Sequence, residues 1–286
     1  MRQTIVVKCG GHGAVDPQAV CKDIAALRHE RRLPVVLVHG GSADIESLAT
    51  RLDVPSRRLT APDGVSARYT DAAMLEVVHL ALAGIAKPRL TRALAAEGVS
   101  AVGLTGLDAG LLRARRKSGQ RALVDGRKVV VRDDHSGRIT EVNTALLDLL
   151  LSQEHVPVVS PPAVAEDGRP VNTDADRAAA AVAAGLRADT LVLLTGAPGV
   201  LADPDDEDSV LPVCAVPPSG PPPFTGGGMG LKLIAAREAL QGGVGRVLVA
   251  DGRRRDPVRA ALAGKATEIV VGTAPSTGPS LVGAAR

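Results

Sequence analysis

The sequence predicts an α/β fold in which an open, mainly parallel sheet is sandwiched by helices, with β-hairpins along its edge. Three observations predict it. Short aliphatic, β-branched runs alternate with segments of helical spacing, the arrangement of strands joined by crossover helices. The 286 residues are 45% hydrophobic and 23% charged, enough apolar surface to bury a large core and offset chain entropy. Between residues 111 and 142 the pattern changes to short extended runs broken by Asp125-Gly126 and Ser136-Gly137, the spacing of hairpins.

A first buried strand is expected over 5–7. Asp16 then supplies an N-cap with Pro17 at the first helical position, and Val20, Ile24 and Leu27 recur at helical spacing. A second strand over 35–38 leads into a helix with Ile45, Leu48 and Leu52 along one side. A longer helix is expected over 71–83 and a third strand over 99–104. The runs at 111–116, 122–124, 128–131 and 138–142 form the edge hairpins, and 156–160 returns to the sheet. After Asp176 come an Ala-rich helix, a strand over 191–194, a helix over 232–240, a strand over 247–250, a helix over 257–262 and a strand over 268–271. The interval between 194 and 232 reads as a long loop with an acidic run over 205–208, five prolines at 217, 218 and 221–223, and glycines over 226–228; that composition predicts a mobile lid. The natural division falls near residue 175, giving lobes over 1–175 and 176–286.

Composition excludes several functions. One Tyr, one Phe and no Trp leave no set of rings for stacking on single-stranded nucleic acid. The net charge of +3 implies no polyanion partner by itself. Cys9, Cys21 and Cys214 are odd in number and lack metal-ligand spacing, which predicts a reduced, cytoplasmic chain. No apolar run reaches the roughly 18 residues of a membrane span. Met1 is followed almost at once by a strand-like run, so no secretory leader is expected.

The chemistry concentrates at strand ends. Lys8-Cys9-Gly10-Gly11 closes the first strand, and His39-Gly40-Gly41-Ser42 closes the second. In open α/β sheets ligands bind beyond these carboxyl ends, and glycines there let backbone amides approach an anion. No Walker A sequence exists, because Gly264-Lys265 is followed by Ala266. Asn172-Thr173-Asp174-Ala175-Asp176 opens the Ala-rich helix; either carboxylate serves as an N-cap or orients lysines across the cleft. The run Gly226-Gly227-Gly228-Met229-Gly230-Leu231-Lys232 places a lysine at a helix start, against the helix dipole. An anionic ligand explains that position better than a structural role does.

Together these motifs resemble the amino acid kinase family, acetylglutamate kinase branch. Arg68-Tyr69-Thr70-Asp71, Gly103-Leu104-Thr105-Gly106-Leu107-Asp108 and residues 195–201 carry the resemblance further, so that it covers essentially the whole chain. Within the branch the sequence looks most like kinases of aminoadipate or glutamate attached to a LysW-type amino-group carrier protein. Residues 38–43, Asp63-Gly64-Val65-Ser66, Arg115-Arg116-Lys117 and Ser160-Pro161-Pro162-Ala163 tilt it that way. Ser42 and Asp174 depart from the pattern of enzymes acting on free N-acetylglutamate, and Gly196 stands where Asp or Asn is common beside the nucleotide.

The resemblance implies phosphoryl transfer from ATP, with Mg²⁺ on its phosphates, to a side-chain carboxylate. It implies catalytic roles for Lys8 and Lys232 oriented by Asp176. Gly10, Gly11, Thr195, Gly199 and Lys232 fall on the nucleotide side, and Gly40, Gly41, Arg68 and Asn172 on the substrate side, with the amino acid in the first lobe and the nucleotide in the second. From 113 to 128 seven Lys/Arg face one acid, Asp125, a patch suited to steering an acidic carrier through Arg115, Arg116 and Lys117, or else a solvated hairpin face. An N-acetylglutamate kinase of arginine synthesis and an inactive amino-acid sensor are the other readings. The early first strand leaves no room for the extra N-terminal helix of arginine-inhibited hexamers, which predicts a homodimer without arginine feedback.

Overall fold

Ile5, Val6 and Val7 have no polar atom beyond the backbone and lie in the middle of a sheet, where each is at most 1% exposed. The computed structural model describes residues 3–10, 13–60, 66–124, 127–224 and 228–272. In chain order the elements are β1 (Ile5–Cys9), α1 (Pro17–Arg31), β2 (Val35–His39), α2 (Ser42–Arg51), β3 (Arg58–Thr60), β4 (Ser66–Arg68) and α3 (Ala72–Leu80). A π-helical stretch (Ala81–Ala86) joins α3 to α4 (Lys87–Ala96), followed by β5 (Ala101–Gly106), β6 (Leu112–Arg116), β7 (Gln120–Val124), β8 (Arg127–Val131) and β9 (Gly137–Val142). The remainder comprises α5 (Thr144–Ser152), β10 (Val156–Ala165), β11 (Pro170–Val171), α6 (Ala175–Gly185), β12 (Thr190–Thr195) and β13 (Val213–Val216). The last elements are α7 (Met229–Gln241), β14 (Arg246–Asp251), α8 (Pro257–Leu262) and β15 (Thr267–Val271).

The main sheet runs β13-β15-β14-β12-β1-β2-β10-β6-β9, with β5 and β11 also paired to β10. Its centre is parallel; β15 runs antiparallel to β14, and β9 antiparallel to β6. Alternation along β1 sends Val6 to one core and Ile5 and Val7 to the other. The first core is closed by alanines and leucines of α6 and α7, the second by Val20, Ile24 and Leu27 of α1 with residues of α4 and α8. A smaller third core packs Ile45 and Ala49 of α2 against Met74, Val77, Val78 and Leu82. The expected sandwich is therefore present. Small residues set its spacing: a Cβ added at Gly242 would lie 2.5 Å from Ala184 Cβ, so α6 and the end of α7 pack too closely for a side chain there.

Four expectations need correction. The hairpin of β7 and β8 does not extend the main sheet; it joins β3 and β4 in a separate four-stranded sheet through the pair Thr60↔Leu123. Only β6 and β9 form the expected hairpin-like edge. The segment expected to be a mobile lid is tied down over most of its described length. A bridge joins Leu201 to Val210, Arg253 grips Glu207 at 2.6 and 3.0 Å, and β13 pairs with β15 as the edge strand of the main sheet. Thr267 Oγ1 accepts from the Val200 amide at 2.9 Å and donates to the Leu211 carbonyl at 2.6 Å, pinning both ends of that fold of chain. Finally, α4 and α5 stand where no helix was expected, and the exposed Leu52 lies just past α2 instead of on its buried side.

Among the described residues no helix is long and apolar enough to cross a membrane.

Candidate active site

The carboxyl ends of β1, β2 and β12 are adjacent: Lys8 is level with Val38 on one side and Leu193 on the other, and Cys9 with His39. Beyond them opens a cleft of about 570 Å³. Lys8 shares the face of β1 that packs against α6, so its side chain meets the first turn of that helix. There Lys8 Nζ lies 2.9 Å from Asp176 Oδ1. Lys232, in the first turn of α7, donates to both Asp176 oxygens at 3.0 Å. All three are buried, at 5%, 6% and 7% exposure.

This trio carries two cations for one anion under the amino ends of two helices, where the dipoles add further positive potential. Burial opposes ionisation of Asp176, but the two ammonium groups outweigh it and hold its carboxyl below the usual range. Burial lowers the pKa of Lys232. For Lys8 burial acts the same way, yet Asp176 and Asp174 together raise its pKa above the ordinary value. Asp174, the N-cap that accepts from the Arg177 amide at 3.0 Å, is pushed upward by burial and by Asp176 beside it. The surplus charge in this pocket is positive, which suits a polyanion.

Glycine keeps the walls open where backbone must approach a ligand. A Cβ at Gly10 would stand 3.2 Å from the Leu194 carbonyl, and one at Gly41 only 2.7 Å from Leu82 Cδ2. Helix α2 begins after Gly41 with no side-chain cap, leaving its first-turn amides unclaimed by any side chain. Helix α7 likewise starts after Gly228 with no side-chain cap, although a Cβ there would meet nothing within 4 Å.

A model of the amino acid kinase family matches residues 3–251. The chain belongs to the amino acid kinase family. The [LysW]-aminoadipate kinase of Thermus thermophilus is 41% identical over 268 residues, 93% of this chain and 99% of that protein. An acetylglutamate kinase of Symbiobacterium thermophilum is 38% identical over 257 residues, 88% of this chain and 85% of that protein. Among solved structures, Giardia carbamate kinase has the same fold, with a TM-score of 0.64 at 16% identity over 94% of this chain and 99% of that one.

Most residues that the sequence singled out for this family site meet in the cleft. Lys8, Gly10, Gly40, Gly41, Arg68, Lys117, Asn172, Asp176, Thr195 and Lys232 all line it, as do Gly196 and Gly228. Gly199 does not; it backs onto Thr267, whose Oγ1 would lie 2.6 Å from an added Cβ. Arg115 also stands off the cleft, largely exposed and 3.2 Å from Glu166, while the Arg116 amide donates to the same carboxylate at 3.4 Å. Gly11, Gly226, Gly227 and residues 61–65 lie outside the described residues. Asp125 and Gly126 do too.

The structure adds residues that sequence reasoning missed. Arg68 is held by Glu46 at 2.8 Å and donates to Ser56 Oγ at 2.8 Å, so its guanidinium enters the cleft already braced. Asn172 Nδ2 donates to Thr70 Oγ1 at 3.1 Å, and Asp134 accepts from the Thr70 amide at 2.9 Å and from Ser136 Oγ. Burial depresses the pKa of Lys117, with Asp134 opposing that shift. Only cross-chain pairings, invisible in local spacing, bring these groups together.

His39 is 1% exposed; its Nδ1 lies 2.9 Å from the Gly40 carbonyl, and its buried Nε2 has no partner among the described residues. Because a carbonyl only accepts, Nδ1 carries a proton, and burial of the unpartnered Nε2 disfavours a second one. Burial holds its pKa near 4 against the ordinary 6.5. Between those values the unfolded chain binds a proton that the folded chain refuses, so stability falls as pH drops through that window, by about 3 kcal/mol at most. Differential denaturation of the native protein and His39→Asn from pH 8 to pH 4 should show the native curve steeper between pH 6.5 and 4. Parallel curves would place the titrating group elsewhere.

Proposed function

We propose that this enzyme transfers the γ-phosphoryl group of ATP to the side-chain carboxylate of aminoadipate or glutamate attached to a LysW-type amino-group carrier protein. A single observation carries the chemistry: two buried lysines converge on one carboxylate at the carboxyl end of a parallel sheet. The acceptor carboxylate is already ionised at neutral pH and needs no general base. Its oxygen forms the new bond to the γ-phosphorus while the bond to the β,γ-bridging oxygen breaks, giving an acyl phosphate and ADP. Lys8 and Lys232 neutralise charge on the transferred group, and Asp176 positions them. Gly10, Gly40 and Gly41 line the phosphoryl path; Arg68 and Asn172 hold the α-carboxylate end; Thr195 lies on the nucleotide side.

Both Asp176 oxygens are occupied by ammonium groups, and no set of three or more acidic, His or Cys residues among those described forms a metal cage. That donor set fits Mg²⁺ arriving on the nucleotide and held by phosphate oxygens and water. The bound ion would offset phosphate charge.

The identity to [LysW]-aminoadipate kinase over nearly both full lengths supports the carrier-linked acceptor. The acetylglutamate kinase relatives, at lower identity, favour free N-acetylglutamate as the second reading. Trapping with hydroxylamine tests the reaction type. A carrier-linked hydroxamate formed only in the presence of enzyme and ATP is the expected product, and ADP release without hydroxamate would refute acyl phosphate formation.

A further inference from the structure

Helices α6 and α7 carry Asp176 and Lys232, and a second charged contact joins the same two helices. Arg177, the residue after Asp176, donates to Glu238 from Nε at 2.8 Å and from Nη2 at 2.5 Å. Glu238 lies beyond Lys232 on α7, about 9 Å further along the helix axis. Arg138 of β9 reaches the same carboxylate at 3.7 Å. The three charges lie in a groove of about 300 Å³ between β9, α6 and α7, and Arg138 and Arg177 line the cleft as well. A two-pronged guanidinium–carboxylate contact fixes orientation as well as distance. Little else sets the rotation of α7 at its amino end. The helix starts after Gly228 with no side-chain cap, and both helices bring mainly alanine to their shared core, which leaves shallow ridges to resist turning.

We propose that Glu238 is a positioning residue: through Arg177 it fixes the rotation of α7 against α6 and so holds Lys232 in register with Asp176. The inference rests on the proposed role of Lys232 in phosphoryl transfer. A rotation of about 10° moves a group about 6 Å from a helix axis by roughly 1 Å. A misplacement of that size costs up to about a hundredfold in rate, although Glu238 itself touches neither substrate nor the transferred group.

The test compares native protein, Glu238→Gln, Arg177→Gln and the double variant. Glutamine keeps the shape of Glu238, and the Arg177 left behind is a quarter exposed, so water can solvate it and Tm stays within a few degrees of native. The first readout needs no substrate: the titration of Lys232 followed by NMR in protein labelled with [¹³Cε]lysine, its signal assigned by its loss in K232M. Asp176 and Asp174 from α6 and Lys8 and Cys9 from β1 are the titratable groups that act on this ammonium, and contact with Asp176 opposes the lowering by burial. A loosened contact therefore lowers the Lys232 midpoint further, by at least about 0.5 pH unit in E238Q. The second readout is kinetic. The expected kcat is about tenfold lower in each single variant, with KM for ATP and acceptor within twofold of native, and the double variant no worse than either single one. A Lys232 midpoint that stays or rises in E238Q overturns the proposal whatever happens to Tm or kcat, and so does a native kcat in E238Q. A native protein that turns over no acceptor refutes the kinase reading instead, and the titration still scores the positioning of Lys232 on its own.

Discussion

Asp176→Asn lowers kcat about a thousandfold and also destabilises the fold. The side chain keeps its shape but loses the charge that neutralises Lys8 and Lys232, so two buried ammonium groups then face each other under two helix dipoles. Breaking a buried ion pair by removing one partner costs about 3–5 kcal/mol, which for a chain of this size lowers Tm by on the order of 10 °C. Catalysis falls because the lysines no longer converge on the transferred group, and preorganised charge of this kind is worth about 10²–10³ in rate per contact. Thermal denaturation and steady-state kinetics on the same preparation check both effects. The native carboxylate, held below the usual range, contributes stability above the unfolded pKa that is lost as pH falls through its folded value. The variant lacks that acid limb. Native Tm and kcat in D176N would remove Asp176 from the centre of the site.

Lys232→Met separates the two consequences. Methionine of similar reach leaves Lys8 and Asp176 as a balanced pair 2.9 Å apart and removes a buried charge whose pKa is already depressed by desolvation. Exchanging such a charge for an apolar side chain is often neutral or stabilising. The expected result is a kcat lower by about 10²–10³ with Tm held within a few degrees of native. The acceptor KM should change less than kcat, since the loss falls on the transition state. A Tm drop matching that of D176N would show that Lys232 is a structural partner, and an unchanged kcat would exclude it from phosphoryl transfer.

Much of this cleft is legible in the sequence. Lys232 stood out because a lysine in the first turn of a helix needs an anion, and Lys8 because it ends a buried strand before two glycines. The long-range parts were hidden. Arg58 reaches the cleft through the pairing of β3 with β4, and a three-residue strand of Arg, Leu and Thr has no periodicity to announce it; Glu46 of α2 and Ser56 meet Arg68 only through the same packing. The turn residues announce the hairpin of β7 and β8, but nothing local announces its partner some 60 positions away in a separate sheet. Strand β13 escaped because its four residues sit among prolines, and its burial comes from β15, near the far end of the chain. Gly199 lies against Thr267, whose Oγ1 would stand 2.6 Å from an added Cβ, a packing contact that its motif does not announce.

The central claim is that the acceptor arrives on a carrier protein. The most direct measurement is kcat/KM for ATP-dependent phosphorylation of LysW-linked aminoadipate and LysW-linked glutamate beside free N-acetylglutamate, using one enzyme preparation. The expected result is efficient turnover of a carrier-linked acceptor and at least a hundredfold lower kcat/KM for free N-acetylglutamate. Equal or better turnover of free N-acetylglutamate would contradict it and move the enzyme to the acetylglutamate kinase reading.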